Sequence, residues 1–152
     1  MTGWRVGYVA GPEQIIKAMA KLQTQTTSGT AHFNQYGLIE ALNGDQEPAE
    51  AMRKEFEARA EYMYQRLCGI KGVTCVQPTG AFYAFPDVSG SYAALGVKNS
   101  LEFSAKVLEE AHVAAVPGVA FGMDAHVRLS FAAGMEQIKE GLDRLEQLLG
   151  KA

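Results

Sequence analysis

The sequence predicts an α/β fold in which helices cover one small sheet. Three observations carry that prediction. Long amphipathic helical patterns span residues 47–68 and 135–149, short β-branched and aromatic runs lie between them, and proline or glycine closes each run. With 152 residues, 47% apolar and 20% charged, the chain suits one compact domain, or one domain plus a remnant of another. Such a composition leaves no room for a large disordered region.

The elements follow in order. Trp4 to Ala10 reads as a short buried strand, stopped by Gly11-Pro12, with Pro12 suited to the first position of a helix. That helix carries Ile15, Met19 and Leu22 on one face and gives way to a polar loop from Thr24 to Thr30. A second helix, about Ala31 to Leu42, ends at Asn43-Gly44. One strand and two helices bury little by themselves, so residues 1–44 read as a piece of a larger sheet domain.

The helix over 47–68 places Met52, Phe56, Ala60, Met63 and Leu67 on one stripe, with charge pairs such as Arg53 and Glu57 on its outer face. Strands are predicted at Val73–Val76 and Ala81–Phe85, separated by a Pro78-Thr79-Gly80 turn and ended by Pro86-Asp87. Asn99 and Ser100 are good N-caps for a helix running to about Ala111. Strands follow at Val113–Val116, broken by Pro117-Gly118, and at Val127–Ala132. The last helix, about Met135 to Leu149, aligns Met135, Ile138, Leu142, Leu145 and Leu148. Residues 45–152 therefore read as one α/β sandwich.

Charge and cysteine usage narrow the function classes. A net charge of −3, with 14 basic residues interleaved among 17 acidic ones, argues against nucleic acid. Cys68 and Cys75 are too few and too close for a disulfide framework and lack zinc-site spacing with histidine, so no metal is expected. Residues 1–10 do not form a signal peptide, and no run approaches the roughly 18 apolar residues a spanning helix needs. A cytoplasmic location, away from membranes, is the default expectation.

Two arginines stand out as candidate site residues. Arg5 lies inside an otherwise apolar segment, where a buried guanidinium is costly unless it meets an anion. That anion is open at this point: an acidic neighbour, a phosphate or a ligand. In Val127-Arg128-Leu129-Ser130-Phe131 the apolar residues alternate onto one face and put Arg128 and Ser130 on the other. If the apolar face packs on helices, the other faces a cleft, where a fixed arginine matches a carboxylate bidentately. The competing reading is an exposed arginine on an edge strand.

Other residue types give less. His32, His112 and His126 are too far apart in sequence for ligand spacing and read as structural or surface residues. Gly118 to Gly122 lacks both Gly-x-Gly-x-x-Gly and a following Lys-Ser/Thr, so a turn suffices to explain it. Phe82, Tyr83 and Phe85 read first as core aromatics.

Taken together, Thr2-Gly3-Trp4-Arg5-Val6-Gly7-Tyr8, Gly11-Pro12, Pro78-Thr79-Gly80-Ala81-Phe82-Tyr83, Pro117-Gly118-Val119-Ala120-Phe121-Gly122 and Val127-Arg128-Leu129-Ser130-Phe131-Ala132 resemble the class I aminotransferases in order and spacing. The resemblance covers nearly the whole chain. It implies the fold-type I architecture of pyridoxal phosphate enzymes of the aspartate aminotransferase type. Residues 45–152 are then the C-terminal small domain, and residues 1–44 a remnant of the large cofactor-binding domain.

By that resemblance Arg5 binds the cofactor phosphate and Arg128 clamps the substrate α-carboxylate. Phe82 lies near the substrate, with Tyr83 as its neighbour. The family places its Schiff-base lysine a few residues before Thr-Gly-Trp-Arg, a spacer inside which this sequence starts, and every lysine from Lys17 to Lys151 falls downstream. No catalytic residue is therefore expected here. The groups that stack on the pyridine ring, pair with its nitrogen and bond its phenolic oxygen lie earlier in relatives. The chain alone is expected to be inactive, with pyridoxal phosphate belonging to the parent enzyme.

The implied substrates are an amino acid and a 2-oxo acid, aspartate first, and the implied assembly is a homodimer. Ser28-Gly29-Thr30-Ala31 departs from the Ser-Asn-Pro or Ser-Asn-Ala of many relatives, which puts this loop's contact across a dimer interface in question. Two other classes stay open. One is the aminotransferase-like effector domain of a transcription regulator, which requires a helix-turn-helix far upstream. The other is a stand-alone binding or assembly module, which requires residues 1–44 to fold in isolation.

Overall fold

The helices predicted from apolar spacing all form. A computed structural model describes residues 1–150, with Thr2 described by its backbone alone, so Lys151 lies outside the described residues. The chain divides into two compact units, Met1–Ala51 and Met52–Ala152.

In the first unit, α1 (Glu13–Thr26) starts behind Pro12, whose extended backbone makes it the N-cap rather than the first helical residue. It outlasts the predicted loop start at Thr24, and the Thr24 and Thr26 hydroxyls, which would otherwise compete for loop hydrogen bonds, donate back to the carbonyls of Ala20 and Leu22. After it comes α2 (His32–Asn43), where the Gly44 amide caps the Glu40 carbonyl. Met19 of α1 is 47% exposed and Tyr36 of α2 is 73% exposed, and neither helix has a buried residue.

The predicted strand at residues 4–10 is absent. Thr2–Trp4 forms a single 3-10 turn instead, and residues 6–10 have no regular structure. A strand leaves every backbone donor unpaired unless a neighbour lies beside it, and the first unit offers no second strand. The Trp4 carbonyl is met by the Asn34 side-chain amide at 2.9 Å, and its ring meets Phe33 edge-on at 6.2 Å.

The second unit begins within α3 (Glu47–Cys68). Met63 and Leu67 are buried and Phe56 and Ala60 partly so, whereas Met52, placed on the same stripe, is exposed. The strands are β1 (Tyr83–Ala84), β2 (Val116–Pro117) and β3 (Val127–Ser130), in the antiparallel order β1-β3-β2. Tyr83 pairs with Ser130 and Val116 with Arg128. A short helix α4 (Tyr92–Leu95) and then α5 (Ser100–Ala111) lie between β1 and β2, and α6 (Met135–Gly150) closes the chain.

The strands are shorter than predicted for local reasons. Ala81 has a left-handed φ of 57° and Pro86 has no amide to donate, so the run of 81–85 keeps only Tyr83 and Ala84 in register. Residues 73–76 keep a single bridge, Thr74 to Asp87. Pro117, expected to break its strand, is the last residue of β2; this is an edge strand, where proline is tolerated.

One core unites these elements. Leu67, Ile70, Phe103, Val107, Val127, Leu129, Phe131, Ile138, Leu142 and Leu145 form one buried cluster. Arg66 of α3 reaches Asp143 and Glu146 of α6 at 2.6 and 2.8 Å, which holds its proton more tightly than usual, the Asp143 bond first. Such half-exposed pairs contribute little to stability, about 0–1 kcal/mol. Asn99 caps α5 by accepting from the Glu102 amide at 2.9 Å, and the Glu102 carboxylate accepts from the Lys98 amide at 2.9 Å. Replacing Asn99 by Ala is therefore expected to lower unfolding stability by ~1 kcal/mol, read from the urea midpoint at constant slope. No helix among the described residues is long and apolar enough to cross a membrane.

Candidate functional site

The central strand β3 sets the site. Its residues alternate between buried Val127 and Leu129 and the more open Arg128 and Ser130, as the apolar spacing requires. Because β3 has a neighbour on each side, the edge-strand reading of Arg128 fails, and the side chain is half-buried.

The surroundings of Arg128 are aromatic. Its guanidinium carbon lies 4.3 Å from the centre of the Tyr83 ring and 4.7 Å from that of Phe121. Among the described residues no carboxylate or hydrogen-bond acceptor partners that guanidinium. Other arginines of the same unit contrast with it. Arg53 pairs with Glu57, Arg59 with Glu55, Arg66 with Asp143 and Glu146, and Arg144 with Glu140.

Backbone geometry brings the two rings to Arg128. Tyr83 lies on β1, the strand beside β3. Phe121 ends a 3-10 turn, Gly118–Phe121, whose first residue must be glycine. A Cβ at Gly118 would come within 2.2 Å of both the His126 and Met123 carbonyl oxygens. The turn is fastened to the start of α5: the Ser100 amide and hydroxyl donate to the Asp124 carboxylate at 3.0 and 2.7 Å, and the Val119 amide donates to the Ser100 hydroxyl at 3.2 Å.

Phe82 stands 4.4 Å from the Tyr83 ring and is 38% exposed. It lines a cleft of about 770 Å³ between α3 and the turn at 78–81, together with Phe56, Glu57, Gln77 and Phe131. Arg128 is not among the lining residues of that cleft; Tyr83, in ring contact with both, links the two. Phe82 itself lies in the turn just before β1, where its carbonyl accepts from the Phe131 amide at 2.9 Å, and it reaches Arg128 only through Tyr83.

Arg5 belongs to the first unit. It is exposed, at a left-handed φ of 52°, and not the buried strand residue that its apolar neighbours suggest. The loss of the strand explains the change, since no sheet encloses it. Of the histidines, His126 stacks on Phe85 at 5.0 Å with its Nδ1 buried and unpartnered among the described residues, a packing role. The reading of the sequence gave Phe121 no role of its own, although its run, taken locally as a plain turn, was one of the motifs that carried the resemblance.

The family model described as "Aminotransferase class I and II" matches residues 1–145. The chain belongs to this family. The chain is 46% identical over 149 residues to an aspartate aminotransferase of Geobacillus stearothermophilus, a match that covers 98% of this chain and 38% of that protein. The crystal structure of an aspartate aminotransferase from Rhizobium meliloti superposes with a TM-score of 0.88 at 39% identity, over 99% of this chain and 39% of that one. An aromatic aminotransferase from Pyrococcus horikoshii superposes with a TM-score of 0.87, again at 39% identity, over 99% of this chain and 40% of the other. The chain thus spans well under half the length of these relatives.

Proposed function

We propose that this chain is the anchoring part of an amino acid aminotransferase, in which Arg128 binds the substrate α-carboxylate and Arg5 the phosphate of pyridoxal phosphate. Residues 45–152 are in this reading the small domain, and residues 1–44 belong to the larger cofactor-binding domain. The parent enzyme works as a cytoplasmic homodimer on an amino acid and a 2-oxo acid, with aspartate favoured by the names of several similar proteins.

The observation that carries the reading is the unpaired Arg128. A half-buried guanidinium without an anion is unfavourable, and a carboxylate from outside the chain supplies one with matching bidentate geometry. Phe82, linked to Arg128 through the Tyr83 ring, offers in this reading an apolar wall for the rest of the substrate in the adjoining cleft. Clamping the carboxylate fixes the rotation of the substrate about its Cα, so that one Cα–H bond faces the proton acceptor.

Arg5 suits the phosphate in charge and accessibility, and the fit of this chain to the cofactor is confined to that end. Pyridoxal phosphate, when bound, withdraws electrons from Cα and makes its proton acidic. Moving that proton needs a base such as a lysine amine, and the lysines from Lys17 to Lys151 all follow the Thr2–Arg5 motif. The reading also proposes that these residues by themselves do not transaminate.

Its test is an absorbance spectrum of the purified chain mixed with pyridoxal phosphate, followed by borohydride reduction and intact mass. The expected result is no stoichiometric adduct at a unique lysine and no transamination. A single adduct with a shifted band would show that another lysine serves, and would overturn the inactivity.

A further inference from the structure

We propose that Tyr83 and Phe121 are positioning residues, whose rings hold the Arg128 guanidinium and leave its N–H edge open to a carboxylate. The inference rests on the carboxylate reading of Arg128 and adds how the side chain is kept ready.

A long, flexible arginine on a strand must be immobilised before it can act as a clamp, since ordering it on binding costs affinity. The usual device is an acidic partner, and this chain uses it at Arg53, Arg59, Arg66 and Arg144. At a carboxylate site that device defeats itself. An acidic neighbour occupies the N–H donors and repels the incoming anion. An aromatic face attracts the cation through its quadrupole and uses none of the donors.

At Arg128 the chain has the second device. Two ring centres lie 4.3 and 4.7 Å from the guanidinium carbon, well inside the range of about 6 Å over which the attraction acts. Both rings are themselves braced. Phe82 lies 4.4 Å from Tyr83, the edge of Phe85 meets Phe121 at 5.8 Å, and His126 stacks on Phe85 at 5.0 Å. The turn that carries Phe121 is locked by Gly118 and by the Ser100–Asp124 bonds. An arginine held this way pays little further ordering cost on binding, and both rings are bound to the same backbone frame as Arg128.

The test is a nitrogen-proton NMR spectrum of the full chain, with succinate as a carboxylate probe. Ring currents are expected to place the Arg128 Nε–Hε signal upfield of that of Arg144, and succinate is expected to move it. Tyr83→Leu and Phe121→Leu should return the signal towards that of Arg144 and weaken succinate binding about fivefold, while Tyr83→Phe keeps both. An ordinary Arg128 position in the unsubstituted chain overturns the proposal without any variant having to fold. So does a Tyr83→Phe chain that behaves like Tyr83→Leu. An upfield signal that succinate does not move has a different meaning: the rings hold the arginine, and it is the carboxylate reading of Arg128 that fails.

Discussion

Phe103→Ala is expected to lower the free energy of unfolding by roughly 3–5 kcal/mol, the cost of emptying a core site that α5 cannot close. Phe103 is 1% exposed, touches the Tyr92 ring at 5.9 Å and belongs to the cluster that joins α3, α5, α6 and the sheet. The loss has two parts, the transfer of the ring to water in the unfolded chain and the cavity left in the folded one. Since small domains are stable by only about 5–15 kcal/mol, the change removes much of the total. Urea unfolding followed by the single tryptophan is a poor probe here, because Trp4 lies in the other unit; far-ultraviolet circular dichroism reports the helices directly. A loss below about 1 kcal/mol at unchanged slope would mean that α5 is not docked on this core.

The helices were legible because their signals are local. Apolar spacing placed α3 and α6, and the Asn99-Ser100 pair marked the start of α5 to within a residue, Asn99 being the cap. The strands were less so, because a strand exists only through its partners. Val73 to Val76 has the composition of one, but only Thr74 meets a neighbour, and Val76 is left 85% exposed. Trp4 to Ala10 is the extreme case: seven residues with strand character and no neighbouring strand among the described residues. Sequence character is an invitation that other parts of a chain must accept.

The structural setting of Arg128 was legible to the same degree. The alternation around Arg128 is a property of five consecutive residues, and it predicted which face each would take. That β3 is central, and so not an exposed edge, depended on β1 and β2, separated from it in sequence. The stacking of Phe121 on Arg128 was hidden for a further reason. A 3-10 turn has no apolar period to read, and the fastening of Ser100 to Asp124 that places it spans 24 positions. Arg5 shows the opposite failure, a local signal for burial with no sheet to bury it in.

The carboxylate reading has its strongest consequence when the residues of this chain replace the matching 38% of the Geobacillus stearothermophilus relative. In such a chimera Arg128→Lys is expected to lower kcat/KM for aspartate by about ten- to a hundredfold, since one lost hydrogen bond to a charged group costs about 1.5–3 kcal/mol. Lysine keeps the charge but presents a point donor where a planar fork is needed, and it stacks less well on Tyr83 and Phe121. Stability should barely change, because Arg128 makes no ion pair among the described residues. Arg66 gives the opposite pattern. It carries a structural pair with Asp143 and Glu146, so Arg66→Lys should leave kcat/KM near its starting value and shift only the unfolding midpoint. If both substitutions altered kcat/KM equally, or if Arg128→Lys changed it less than about threefold, Arg128 would be one more structural arginine and the anion it awaits would not be the substrate.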